Sequence, residues 1–152
     1  MKIEHEELES LIPHRGKMFI VGRISDADPE NWTIESETKI SEDFMFFDES
    51  VSGVPNYACF EIIAQTVAAL SGLYAREHGL EPNIGFILSV SNLHFDFDII
   101  KSGETVQVKA RRETVVDAVS SLSAEIYING ARRGSGKLTV MEAVAGSEAQ
   151  NQ

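Results

Sequence analysis

One cysteine, four prolines and thirteen basic residues are what this chain of 152 residues has little of. Cys59 alone can close no intramolecular disulfide, and inside an apolar run it is expected to pack as a small hydrophobe. The 13 basic residues face 24 acidic ones, a formal net charge of −11. That charge argues against nucleic acid and against an anionic membrane surface as partners, because both would repel it. The first residues, Met1-Lys2-Ile3-Glu4-His5-Glu6-Glu7, are too acidic for a signal or transit peptide, so a soluble, cytoplasmic protein is expected. The most apolar stretch is interrupted by Glu61 and Gln65 and ends at Tyr74-Ala75-Arg76-Glu77-His78. It reads as too short and too polar to span a bilayer. There is no Gly-rich phosphate loop, no paired-cysteine motif, no nucleophile elbow and no internal repeat. No cofactor is expected.

What is present is an ordinary globular composition, 43% apolar and 24% charged, in a length suited to one domain. From Tyr57 to Gly72 nearly every residue is apolar or small, and Glu61 and Gln65 are its strongly polar members. A helix that is apolar nearly all round is wrapped by the rest of its domain. Spacing i to i+4 stacks Glu61 and Gln65 on one face. A carboxyl group enclosed by apolar neighbours resists ionisation, which makes Glu61 a candidate acid or base. On composition alone a structural Glu, paired with an Arg or on a solvated edge, is the commoner outcome.

Leu8 to Ile12 reads as a short helical turn stopped by Pro13, and Met18 to Ile24 as a buried strand. Asp26 to Asn31 is turn chemistry. Trp32, Ile34, Ser36, Thr38 and Ile40 alternate onto one side of a strand. The loop from Ser41 to Val54 carries Phe44, Met45, Phe46 and Phe47, which must bury themselves against the helix or a second subunit. Pro55 suits a first helical turn and Gly79 a helix end, so the central helix is predicted over about Pro55 to His78. Ile84 to Phe97 reads as two extended pieces joined near Ser89 to Asn92. Thr105 to Arg111 alternates with Val106, Val108 and Ala110 inward, and Ala118 to Ile128 and Arg132 to Met141 form a hairpin about Asn129-Gly130. Residues 1–142 make a single domain, and 143–152 a small, polar tail expected to be disordered. One long buried helix among long antiparallel strands predicts an α+β layout, a helix wrapped by a curved sheet.

The segment Leu11-Ile12-Pro13-His14-Arg15-Gly16-Lys17-Met18-Phe19 resembles the opening of the beta-hydroxyacyl-acyl carrier protein dehydratases, where a Pro-His-Arg turn precedes the first sheet strand. Pro55, Glu61 and Gln65 fall as in the start of that family's central helix, and Gly103-Glu104 stands where it has a Gly-Asp turn. The likeness runs from about Leu11 to Met141 and implies the hotdog fold. The family also carries a catalytic His in a loop before the helix. Here that loop reads Phe46-Phe47-Asp48-Glu49-Ser50-Val51-Ser52-Gly53-Val54-Pro55, shorter and without His. In this the chain resembles the divergent dehydratase-like hotdog proteins of aryl polyene and flexirubin pathways.

The resemblance implies dehydration of a 3-hydroxyacyl thioester on acyl carrier protein, giving a trans-2-enoyl thioester. That chemistry needs a base for the C2 proton, an acid for the departing hydroxyl, and donors for the thioester oxygen. Glu61 is the expected catalytic carboxyl. His14 is the best-placed imidazole, equally readable as a turn residue holding the Pro13 bend. Gln65 is expected to orient Glu61, the helix-start amides of Asn56 and Tyr57 to serve as oxyanion donors, and Pro55 and Phe47 to line the substrate. His94, Asp96 and Asp98 alternate along one strand face and read as a polar face rather than a metal site. Arg111-Arg112 and Arg132-Arg133, with Arg15 or Lys17, are solubilising surface or contacts for an acidic carrier protein. A homodimer, or a heterodimer with a dehydratase, is expected. Two other readings stay open: a non-catalytic hotdog subunit lending half an interface to an active partner, and an acyl thioesterase.

Overall fold

The computed structural model describes residues 1–12, 16–80 and 85–142. The chain opens with a single helical turn, α1 (His5–Leu8), and a 3-10 turn at Gly16–Met18. Strands β1 (Arg23–Asp28), β2 (Thr33–Lys39) and β3 (Gly53–Pro55) lead into the long helix α2 (Ala58–Glu77). Strands β4 (Gly85–Phe95), β5 (Ile99–Lys101), β6 (Thr105–Val116), β7 (Val119–Ile128) and β8 (Ala131–Glu142) follow. Six strands form one antiparallel sheet in the order β1-β2-β6-β7-β8-β4, and β3 pairs with β5 in a separate ribbon. A single long helix laid against one face of such a sheet is the hotdog fold.

Alternation explains which face meets the helix. Trp32, Ile34, Ser36, Thr38 and Ile40 are all buried, as are Val106, Val108 and Ala110 of β6 and Leu122, Ala124, Ile126 and Ile128 of β7. Their in-between neighbours point outward, the period-2 rule of a half-buried sheet. The helix fills the concave side with Ile62, Ile63, Leu70 and Leu73, each essentially without exposure. The helix's buried Thr66 hydroxyl is satisfied: it donates to the Ile62 carbonyl at 2.7 Å and lies 2.8 Å from Ser36 Oγ of β2.

The sheet has two edges, and the chain treats them differently. Beside β1, Ile3 pairs with Ile24 through two backbone bonds of 3.0 and 2.8 Å, and the terminal amine of Met1 reaches Asp26 at 3.1 Å. The outer side of β4 has no strand partner among the described residues. An uncovered strand edge is a template for pairing with another chain.

Several expectations shift by a few residues. The first turn is His5–Leu8 rather than Leu8 to Ile12, and the chain from Met18 to Gly22 turns and extends before β1 begins at Arg23. Pro55 ends a strand instead of opening the helix, because the pairing of Val54 with Ile100 and Pro55 with Ile99 holds this segment extended. The short β3 and β5 escaped sequence reading altogether. Ser89 to Asn92 is no break between two strands; β4 runs through it with a register shift between Ser91 and His94, Asn92 taking φ 52°. Helix α2, with 20 residues and a mean hydropathy of 1.4, is long and apolar enough to cross a membrane. Of that window 72% is buried inside the domain, so its apolar surface is taken up by the sheet. The expected tail lies outside the described residues.

Candidate functional site: a carboxylate and an amide on the central helix

Gln65 is the most enclosed polar side chain of the site, with 0% exposure. Its Oε1 accepts from the Ile20 amide at 3.0 Å, and its Nε2 donates to the Met18 carbonyl at 2.6 Å and to Glu61 Oε1 at 3.1 Å. The amide therefore ties the chain segment before β1 to the helix and fixes one oxygen of the carboxylate. Glu61 itself is half-buried, not enclosed as the apolar run predicts. It stands in the first turn of the helix.

The helix start is anchored from the sheet side. The Asn56 amide donates to the Asp98 carbonyl at 2.9 Å, and Asn56 Nδ2 donates to the Phe97 carbonyl at 2.9 Å. Both donors are thus spent on structure, which corrects the expectation of Asn56 as an oxyanion donor. The Cys59 and Phe60 amides bond back to the carbonyls of Asn56 and Tyr57. The Tyr57 and Ala58 amides make no such bond to a described group. The Tyr57 side chain is 65% exposed. Phe44, Phe46 and Phe47 lean partly buried on the core in front of the helix, while Met45, Met18 and Val51 stay open to solvent. Pro55 and Phe47 border this region half-buried.

No histidine of the described residues joins Glu61. His5 stacks on Phe19 at 4.2 Å with its Nδ1 on the Val21 carbonyl, His78 stacks on Tyr74 at the far end of the helix, and His94 lies on the outer face of the sheet. His14, like Arg15, lies outside the described residues. Asp48 does not replace the missing imidazole. Its carboxylate is occupied by Ser50, accepting from the hydroxyl at 2.6 Å and the amide at 2.9 Å, and these bonds hold it below the usual carboxylate range. Cys59, in the first turn of the helix, is buried and its thiol is pushed up to about 12 by desolvation. It is inert packing.

The outer face of the sheet carries a trough of about 660 Å³ lined by Glu35, Lys109, Arg111, Glu125, His94 and Lys137, among others. Three of its cations are paired, Lys109 with Glu35, Arg132 with Glu125 and Lys137 with Glu113. The sheet separates it from Glu61. His94, Asp96 and Asp98 do not gather as ligands; Asp96 instead pairs with Arg133. Among the described residues no group of three metal-ligating side chains converges.

The arrangement is a half-exposed carboxylate, oriented by a buried amide, beside free helix-start amides in an apolar surround. It can exchange a proton with a substrate and donate to an oxyanion. A sequence profile of the ApeP-like family, described as ApeP dehydratase, matches residues 6–151. The 3-hydroxyacyl-[acyl-carrier-protein] dehydratase FabZ of Bartonella quintana (strain Toulouse) is 25% identical over 141 residues, spanning 91% of this chain and 89% of that protein. The dehydratase heterocomplex ApeI:P from Xenorhabdus doucetiae superposes with a TM-score of 0.82 at 16% identity, covering 95% of both chains. A hypothetical thioesterase with coenzyme A from Streptococcus pneumoniae TIGR4 superposes with a TM-score of 0.63 at 11% identity, over 80% of this chain and 84% of that one. The two structural matches share the fold; the profile, matching nearly the whole length, settles the family. This chain belongs to the ApeP-like dehydratase family.

Proposed function

We propose that the chain dehydrates 3-hydroxyacyl thioesters carried on acyl carrier protein, releasing water and leaving the trans-2-enoyl thioester. The observation that carries this is the Gln65-oriented Glu61 at the start of the central helix. In the reaction one proton leaves C2, the C3–O bond breaks, and the hydroxyl departs as water with a proton from the acid. Glu61 serves as the acid or base, and the Tyr57 amide N–H donates to the thioester oxygen as charge develops on it. The substrate class rests on likeness to FabZ and to the ApeP-like family. A cytoplasmic setting suits that substrate.

The working unit is a pair of hotdog domains. The uncovered side of β4 and the exposed Met18, Met45, Val51 and Tyr57 beside the site support pairing, since together they leave apolar surface and a strand edge open. A second copy or a related dehydratase chain would cover both. One observation favours a second reading: the loop before the helix, from Phe46 to Pro55, carries no histidine. The match to a heterocomplex fits a chain that completes, or merely supports, a catalytic partner.

The test is incubation of the purified chain with 3-hydroxyacyl-carrier substrate, alone and mixed with a co-encoded dehydratase, with size-exclusion of each sample. Enoyl product from the chain alone or raised in the mixture supports the first reading. A stable mixed complex whose activity ignores Glu61 supports the subunit reading. Free thiol without enoyl product would identify a thioesterase.

A further inference from the structure

Four residues of α2 lie on one side of the helix: Glu61, Gln65, Gly72 and Arg76, whose spacings of four, seven and four return to the same face. Gln65, Gly72 and Arg76 meet described residues of the N-terminal arm, in reverse order along it. Arg76 Nη1 pairs with Glu7 at 2.8 Å, Gly72 faces the backbone of Leu11, and Gln65 holds Met18 and Ile20. The contacts of Glu7, Leu11 and Met18 thus run antiparallel to the helix over about 16 Å, at 1.5 Å per residue. At its inner end the arm is joined, through Gln65, to Glu61.

The contact at Gly72 differs in kind from the others. A Cβ there would overlap the Leu11 carbonyl oxygen and lie 3.1 Å from its carbon and 3.2 Å from its Cα. These are backbone atoms, which cannot step aside as a flexible side chain would. Glycine is the poorest residue but proline for a helix interior, so its presence here answers the need for close approach. We infer that Gly72 is a positioning residue for Glu61: by letting the arm seat on the helix it sets the height at which Met18 and Ile20 meet Gln65. This extends the proposed dehydratase reading, on which only its kinetic part rests.

The experiment compares the full chain with Gly72→Ala and with Ile34→Val, a core substitution on β2 away from the arm. Amide exchange of Ile20 is followed together with kcat and KM for a 3-hydroxyacyl thioester, in whichever assembly the wild type is active. The expected result for Gly72→Ala is a folded protein in which the Ile20 amide exchanges tenfold or more faster, and kcat falls at least tenfold with KM little changed. Ile34→Val is expected to lower the melting temperature without moving either. Unchanged Ile20 exchange in Gly72→Ala overturns the inference, as does faster exchange with kcat intact. Loss of the fold overturns it too, because the arm is meant to give way while helix and sheet stand. If the wild type dehydrates nothing, alone or with a partner, the proposed function fails. The Ile20 amide then still decides whether Gly72 governs the Gln65 contact.

Discussion

Gln65 contributes more to the fold than Glu61 does, although both attract notice as the polar members of an apolar run. It satisfies the Ile20 amide, which is buried, and the carbonyl of Met18, whose side chain is exposed. Gln65→Leu leaves both without their partner, at a cost of about 1–3 kcal/mol each. Urea unfolding should therefore show a loss of about 2–6 kcal/mol; a loss under about 1 kcal/mol would mean that water takes the amide's place. Asp48 makes a prediction about pH. Its folded carboxyl is held below the ordinary value by the Ser50 hydroxyl first and the Ser50 amide second. A depressed carboxyl adds stability that is complete above its unfolded value, near ~3.9, and is lost as pH falls through the folded one. The turn from Asp48 to Gly53 should therefore loosen only in acid, and Ser50→Ala should move the Asp48 titration upward by NMR. Of these residue-scale facts the sequence shows the i, i+4 stacking of Glu61 and Gln65, because that follows from helix geometry alone. It does not show which of the two is enclosed. That depends on the arm folding back onto the helix, a contact between residues 45 to 47 apart in sequence.

Elements governed by local chemistry were legible. The hairpin between β7 and β8 turns at Asn129-Gly130 with φ of 49° and 87°, two left-handed residues in sequence as a tight hairpin turn requires. Gly130→Ala places a side chain in that conformation and should cost about 1–2 kcal/mol, read from the shift in denaturation midpoint. An unchanged midpoint would show that the turn relaxes. The alternating strands β2, β6 and β7 were legible for the same reason: a period of two is imposed by the pleat. Pro55 misleads because two rules compete at that point. Proline suits a first helical turn, but its ring is equally at home in an edge strand, and the pairing with Ile99 decides. The three-residue β3 and β5 hold too few positions for any period to show.

At the scale of the whole molecule the chain belongs to the ApeP-like dehydratase family. The β1 edge is closed by its own N-terminus and the helix is wrapped by its own sheet. Among the described residues the β4 edge has no strand partner, and Met45 and Tyr57 are exposed. Sedimentation should show a dimer, or a mixed dimer with a dehydratase partner, at micromolar concentration. Met45→Glu with Tyr57→Arg should shift it toward monomer while leaving the fold intact, since both side chains are exposed in the single chain. A double variant that stays dimeric would move the interface elsewhere. Charge and composition exclude partner classes but cannot indicate this surface, because it is assembled from the arm, the loop of Phe44 to Phe47 and the helix start.

The measurement that bears most directly on the central claim is the rate of enoyl thioester formation from 3-hydroxyacyl-carrier substrate, by the chain in its active assembly, with wild-type protein and with Glu61→Gln. The substitution keeps size and polarity at a half-buried position, so the melting temperature should hold. Loss of the proton-transferring group should lower turnover by about 10²–10⁴-fold. Turnover within twofold of wild type, in a variant equally folded and equally assembled, would contradict the account and leave Glu61 a structural neighbour of Gln65.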